Sequence, residues 1–310
     1  MSLALIIAVL AAAISAGTPL LFSALGEVIT ERTGVQNLGL EGMMLTGAVM
    51  GYIAAITSGN PWIGFIVGAL GGGALSLVHA VLVISFKANQ VVSGLALTIF
   101  GQGFSGFIGK SYIGVPLPVK FELFRIPVLG DIPILGDILF KQDALVYFSY
   151  LLVPLIFIFL FKTRAGMTMR SLGENPAAAD ALGVNVFRMR YFYVFVGGLM
   201  SGMGGAYLSL AASPSWLENM TAGRGWIAIA LVIFSQWNPM RAMMGAYIFG
   251  GIDALGYRLQ TIGVTFSPIY LKMLPYILTI AVLIFTTIMS RKKHLSAPEA
   301  LGLTYNREER

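Results

Sequence analysis

A few polar residues stand out because long apolar runs surround them. Asn89, Gln90, Ser93, Thr98 and Gln102 occupy one such run. Ser93 lies three residues after Gln90 and four after Asn89, so these three share one helical face. A face of that kind sets hydrogen-bond donors and acceptors side by side, the chemistry that holds a polar solute. Asn37 and Glu41 open another run, His79 and Asp253 lie inside two more, and Gln236 and Asn238 flank a break at Asn238-Pro239. Polar groups at membrane depth usually face a partner or a water-filled cavity. Structural readings stand beside this one. Asn37 and Glu41 suit a helix cap, and the Asn89–Ser93 set, close to Lys87, suits an interfacial cap. His79 suits a helix–helix hydrogen bond, and Asp253 an ion pair with Arg258 or Arg241.

Covalent chemistry has little to work with. The chain has no cysteine and only two histidines, His79 and His294. HExxH, GxSxG and GxxxxGK[ST] sequences are absent. A thiolate or zinc centre and a nucleotide-binding loop on this chain are therefore excluded as expectations, and so is an embedded enzyme.

The elements that position these residues follow from composition. Of 310 residues, 57% are apolar and 11% charged, against roughly 25% charged in a soluble domain. This predicts an all-α integral membrane protein. Stretches near the roughly 20 residues needed to cross run from Leu3 to Leu25, Leu38 to Ile56, Trp62 to Phe86, Val91 to Gly109, Ala144 to Phe161, Tyr191 to Ala212 and Tyr270 to Ser290. That makes about seven full spans. The first reads as a retained span kinked at Thr18-Pro19, not as a signal peptide. Two shorter pieces, Trp226 to Trp237 and Met240 to Tyr257, meet at Asn238-Pro239 and form either a re-entrant hairpin or two short crossings. Gly198 and Gly202 form a GxxxG pair for a close helix crossing, and Gly71-Gly72-Gly73 suits the same use.

Charge sets the expected orientation. The excess of Lys and Arg, net +6, belongs on the cytoplasmic side of a membrane protein and does not call for a nucleic-acid partner. The 162–190 segment carries Lys162, Arg164, Arg170, Arg188 and Arg190, and the 291–310 tail opens with Arg291-Lys292-Lys293. Both are expected inside. The 110–143 loop, with balanced charge, is expected outside, which places the N-terminus outside and the C-terminus in the cytoplasm. The whole chain, 1–310, reads as one transmembrane domain.

The 162–190 segment also contains a short element with sharp ends. Asn175 suits an N-cap and Pro176 the first helical position. Ala177 to Leu182 favour helix, and Gly183 fits a left-handed stop. Its alanine-rich surface permits close docking of another protein.

That loop resembles the coupling helix of ABC importer permeases in the branch serving simple sugars, nucleosides and branched-chain amino acids. Thr33 to Ala48, with Asn37-Leu38-Gly39-Leu40-Glu41-Gly42, and Asn89 to Thr98 resemble the same branch in the same order. The first stretch is closest to the shorter nucleoside permeases. The resemblance implies a multi-pass protein of the bacterial plasma membrane. Gly173, Glu174, Asn175, Pro176, Ala177, Ala178, Ala179, Leu182 and Gly183 would meet a separate ATP-binding subunit. Asn37, Glu41, Asn89, Gln90, Ser93, Thr98, Gln236 and Asn238 would line the substrate path. It further implies a second, longer permease and an extracellular solute-binding lipoprotein. No cofactor is expected on this chain, with ATP and Mg on the partner ATPase. A simple-sugar permease and an ion-coupled secondary transporter, with Glu41 or Asp253 as its carboxylate, are the alternatives.

Overall fold

The computed structural model describes residues 3–261 and 297–307, with isolated helical positions between 273 and 288. Helices α1 (Leu3–Glu31), α2 (Leu40–Ser58), α3 (Pro61–Ala80) and α4 (Gln90–Gly109) come first, and α3 ends in a π-helical turn over Val81–Ser85. Strand β1 (Leu123–Arg125), the short α5 (Leu135–Leu139) and β2 (Lys141–Asp143) follow. The strands pair antiparallel with Leu123 opposite Asp143. Next come α6 (Ala144–Lys162), α7 (Arg164–Glu174), α8 (Pro176–Ala181) and α9 (Val186–Tyr207), which runs into a π-helical turn over Leu208–Ala212. Helices α10 (Arg224–Ser235) and α11 (Pro239–Thr261) complete the described bundle.

Most starts are written locally. Asn60, Asn89, Asp143, Thr163, Asn175 and Asn185 each accept a backbone N–H from the first turn of the helix they precede, satisfying donors a helix leaves unpaired. Among the described residues, six helical stretches are long and apolar enough to cross a membrane: Leu3–Glu31, Leu40–Ser58, Pro61–Ser85, Gln90–Tyr112, Ala144–Lys162 and Val186–Ala212. Apart from those isolated positions the expected span Tyr270 to Ser290 lies outside the described residues, as do residues 291–296 and 308–310 of the tail.

Two boundaries differ from expectation. Helix α1 continues past Leu25 to Glu31, because its two carboxylates have partners inside the protein. Glu27 Oε1 accepts the Asn37 N–H at 2.9 Å, and Glu31 Oε2 accepts Trp237 Nε1–H. Helix α11 has 23 residues, about 34 Å at 1.5 Å per residue, so it is no short piece.

Helices α2, α3 and α9 meet through small residues. A Cβ on Gly202 would lie 2.9 Å from the Ala69 carbonyl oxygen, and one on Gly72 would lie 2.6 Å from the Gly202 Cα. Where lipid is as apolar as the side chains, such backbone-to-backbone contact is a main source of helix association. Helix α1 packs against α9 on one side and α11 on another.

The bundle sorts its connections to two ends. At one end Phe121 N–H bonds the Leu210 carbonyl at 3.3 Å, the Tyr52 hydroxyl bonds Val115 O, and the Gln142 amide bonds Ala11 O at 3.1 Å. At the other, Gln36 meets Gln90, Arg190 meets Thr33, Trp237 meets Glu31, and Ala300 meets Gly173. After Ala212 the chain crosses from the first end to the second, as an irregular stretch over 213–223 and then the 12-residue α10. Helix α11 returns along α1, with Gly250 against Ala13 and Gly17. Both pieces therefore traverse the bundle, the first of them broken.

Candidate functional site

The break before α10 is held by one carboxylate. Glu41, buried on the first turn of α2, accepts the Thr221 hydroxyl at 2.6 Å and the Gly223 N–H at 2.8 Å through Oε1, and the Gly225 N–H at 2.6 Å through Oε2. A negative charge at a helix N-terminus meets unpaired N–H groups and the positive end of the helix dipole. Of the two readings of Glu41, the structure thus realises a cap, and the helix capped is α10 instead of α2. The turn leading there holds Asn219 and Ala222 at φ of 55° and 48°, left-handed values uncommon outside glycine.

Beside this break is a cavity of about 580 Å³, lined by α1, the end of α9, the 213–224 stretch and α11. Its apolar wall includes Leu208, Leu217 and Met220, and its polar groups are Ser15, Ser213, Arg224, Asp253 and Arg258. Arg224 donates to Asp253 Oδ2 at 2.9 Å with both side chains partly buried. Asp253 was expected beside Arg258 or Arg241. Arg241 instead donates to Gln236 Oε1, and Arg258 lines the same cavity five residues further along the helix. The two residues that pair were both visible as charges within an apolar region, but their pairing had no sequence signal.

The α4 polar face is occupied by protein. Gln90 Oε1 accepts Gln36 N–H at 2.7 Å, Ser93 Oγ lies 2.9 Å from His79 Nδ1, and Thr98 donates to Leu38 O at 3.1 Å. His79 Nε2 is 3.0 Å from Gln36 O, so the expected helix–helix bond is present. Asn89 caps α4 through Val92 N–H. Asn37 Oδ1 accepts Gly39 N–H at 2.9 Å, and its Nδ2 points to Met43 sulfur. Together these groups fasten the 36–39 segment. Gln236 closes α10 at φ 54°, and Asn238 starts α11 by accepting Met240 N–H at 3.0 Å. None of the eight residues expected on the substrate path is among those lining the cavity.

The short element in the 162–190 segment has the expected ends. Asn175 Oδ1 accepts Ala178 N–H at 2.9 Å, Pro176 is the first helical residue, and Gly183 stands at φ 87° with its N–H on Asp180 O. Glu174, Asn175, Ala177, Ala178, Leu182 and Gly183 are exposed, with Leu182 at 86%, and Pro176 is half-buried. Gly173 and Ala179 face inward instead, Ala179 packing with Leu172 and Val186. The preceding α7 was not anticipated, although Thr163, which accepts Gly166 N–H, is an ordinary cap signal. Beneath it Arg32 and Arg170 lie over the Phe161 ring at 6.0 and 5.2 Å. Burial pulls the Arg32 guanidinium below its usual range, opposed by Glu174 at 3.9 Å.

Comparison with known proteins adds the following. A family model described as branched-chain amino acid transport system / permease component matches residues 9–283. The guanosine ABC transporter permease protein NupQ of Bacillus subtilis is 37% identical, covering 93% of this chain and 92% of its own. The nucleoside ABC transporter permease protein NupC of Lactococcus lactis is 35% identical, covering 86% and 88%. TsgC13 of Haloferax volcanii, provisionally named a glucose ABC transporter permease protein, is 41% identical over 96% and 97%. A solved inward-facing ABC transporter, provisionally typed as metal-chelate, has a TM-score of 0.51 at 15% identity and covers 91% of this chain and 85% of that one. That last likeness concerns the fold alone.

Proposed function

The chain belongs to the branched-chain amino acid transport system permease family, in the simple-sugar and nucleoside branch, and on that premise we propose that it forms the translocation path for a nucleoside. It is a multi-pass plasma-membrane permease subunit of an ABC importer, and ATP hydrolysis belongs to a separate chain. Membership of this family removes the ground for the ion-coupled alternative.

The cavity beside α10 carries the proposal. Its 580 Å³ falls in the range of small-molecule sites. A charged, hydrogen-bonding pair, Arg224–Asp253, faces an apolar wall of Leu208, Leu217 and Met220. A nucleoside offers matching halves, ribose hydroxyls for the polar side and a flat base for the apolar one. Broken helices are tolerated in a membrane where protein or a watery cavity covers the freed backbone, as Glu41 and this cavity do here. On this reading the 162–190 end is cytoplasmic by its basic residues, the 110–143 end is outside, and the exposed residues of α8 receive the ATPase. A second, longer permease completes the dimer, a solute-binding lipoprotein delivers substrate from outside, and no cofactor resides on this chain.

A sugar permease is the second reading, favoured by the 41% identity to TsgC13. Proteoliposomes holding the assembled transporter separate the two. Uptake of tritiated guanosine, competed by other nucleosides and not by glucose, is expected. ATP-dependent glucose uptake without guanosine uptake would overturn the nucleoside assignment. Arg224→Ala, expected to lower guanosine uptake by about tenfold, tests whether this cavity is the path; undiminished uptake moves the path elsewhere.

A further inference from the structure

Segment 297–307 returns to the bundle end that carries α8 and bonds both the end of α7 and the turn after α1. Ala300 N–H bonds Gly173 O at 2.8 Å, at the end of α7. Gly302 N–H bonds Gly34 O at 3.1 Å, in the turn after α1. Arg307 then grips Asp180 with two bonds, Nε to Oδ2 at 3.0 Å and a terminal nitrogen to Oδ1 at 2.8 Å, while the Tyr305 hydroxyl bonds Oδ2 at 2.9 Å. The Asp180 side chain is 4% exposed, and the Arg307 side chain 66%. A bidentate guanidinium–carboxylate pair restricts geometry as well as adding attraction. The Tyr305 ring also lies 5.9 Å from that of Phe187.

The fastened turn leads inward. Arg190 Nε bonds Thr33 O at 3.0 Å, Glu31 holds Trp237 below α10, and the α2 that follows carries Glu41, the cap of α10. A displacement of α8 thus has three routes to the cavity: through α9, through the direct contact of Gly173 and Glu174 with Arg32 and Gly34, and through the segment that ties α8 itself to the α1–α2 turn.

We propose that residues 297–307 are a transmission strap, and that Asp180 with Arg307 are positioning residues that couple movement of α8 to the α1–α2 turn and so to the cavity. This rests on the reading of α8 as the surface that meets the ATPase. Neither residue is among those lining the cavity, so loss of the pair is expected to change coupling and leave hydrolysis running.

Spin labels on Leu217→Cys and Ala12→Cys, two residues that line the cavity from the 213–224 stretch and from α1, report its width in the assembled transporter with and without Mg-ATP. The labelled transporter is expected to change that distance on nucleotide binding. Adding Arg307→Ala is expected to abolish most of the change, with ATPase rate within about twofold and guanosine uptake per ATP down roughly fivefold. Arg307→Lys, which keeps the charge, is expected to recover part of it. In Arg307→Ala the Tyr305 hydroxyl still donates to Asp180, and an unchanged melting temperature of the assembled transporter checks that the fold is kept. Full ATP-driven movement in the Arg307→Ala protein overturns the strap. Leu182→Asp separates this from failure of the underlying reading: retention of the ATPase and of full movement in that variant sinks the α8 assignment. Loss there with full movement in Arg307→Ala sinks the strap alone. A cavity that never responds to Mg-ATP overturns both.

Discussion

Helices α8 and α10 are both short and both begin at a carbonyl-type side chain that accepts backbone N–H groups, yet they are made in opposite ways. Helix α8 is capped by Asn175, its own preceding residue, through Ala178 N–H. Helix α10 has glycine immediately before it and takes its cap from Glu41, 184 residues away from Gly225. One is a surface element whose start is set by its own neighbouring residue, with Leu182 projecting from its end. The other starts within the bundle and has a defined beginning only because α2 is packed against it. A locally capped helix can move as a unit against a partner. A remotely capped one registers any shift of the helix that caps it.

The contrast can be broken most directly at Glu41. Glu41→Ala leaves Thr221, Gly223 and Gly225 without their acceptor in a buried setting, and a loss of about 3 kcal/mol is expected, read as a large fall in melting temperature of the purified protein. Glu41→Gln, which keeps one acceptor oxygen, should fall in between. An unchanged melting temperature in Glu41→Ala would mean that α10 does not depend on the remote cap. Asp253→Ala, which strands Arg224 in the cavity, comes next at about 2 kcal/mol, with guanosine uptake falling while assembly with the ATPase persists.

At α8 the expected effects shrink. Asn175→Ala should cost about 1 kcal/mol, and amide exchange should quicken over 176–183 only. Faster exchange throughout the bundle would show that α8 is not an independent unit. Leu182→Asp should leave stability within about 0.5 kcal/mol but release the ATPase subunit in a pull-down. Retention of that subunit would move the docking surface off the end of α8.

Much of the frame was legible because its signals are local. Runs of apolar residues, the Asn175-Pro176 start, the Gly183 stop and the Gly198/Gly202 pair each act within a few residues of where they stand. Such signals also had limits. Glu27 and Glu31 lie beyond the expected span Leu3 to Leu25, although their spacing of four places them on one helix face, because two carboxylates argue against a continued span until their partners are known. The polar face of α4 was recognised as a face and its nearness in sequence to other polar residues was plain. What it touches was not: Gln90 and Thr98 fasten the 36–38 segment directly, and Ser93 does so through His79.

By itself, the sequence determined the membrane as solvent, the family, the spans that carry strong apolar runs and the ends of α8, since each depends on composition or on contacts across three or four residues. Only the tertiary structure decided that Glu41 caps α10, that Arg224 and not Arg241 or Arg258 pairs with Asp253, and that Arg307 reaches Asp180 from 127 residues away. A carboxylate has the same chemistry wherever it stands in the chain. Which N–H group or guanidinium it meets is set by how the helices pack.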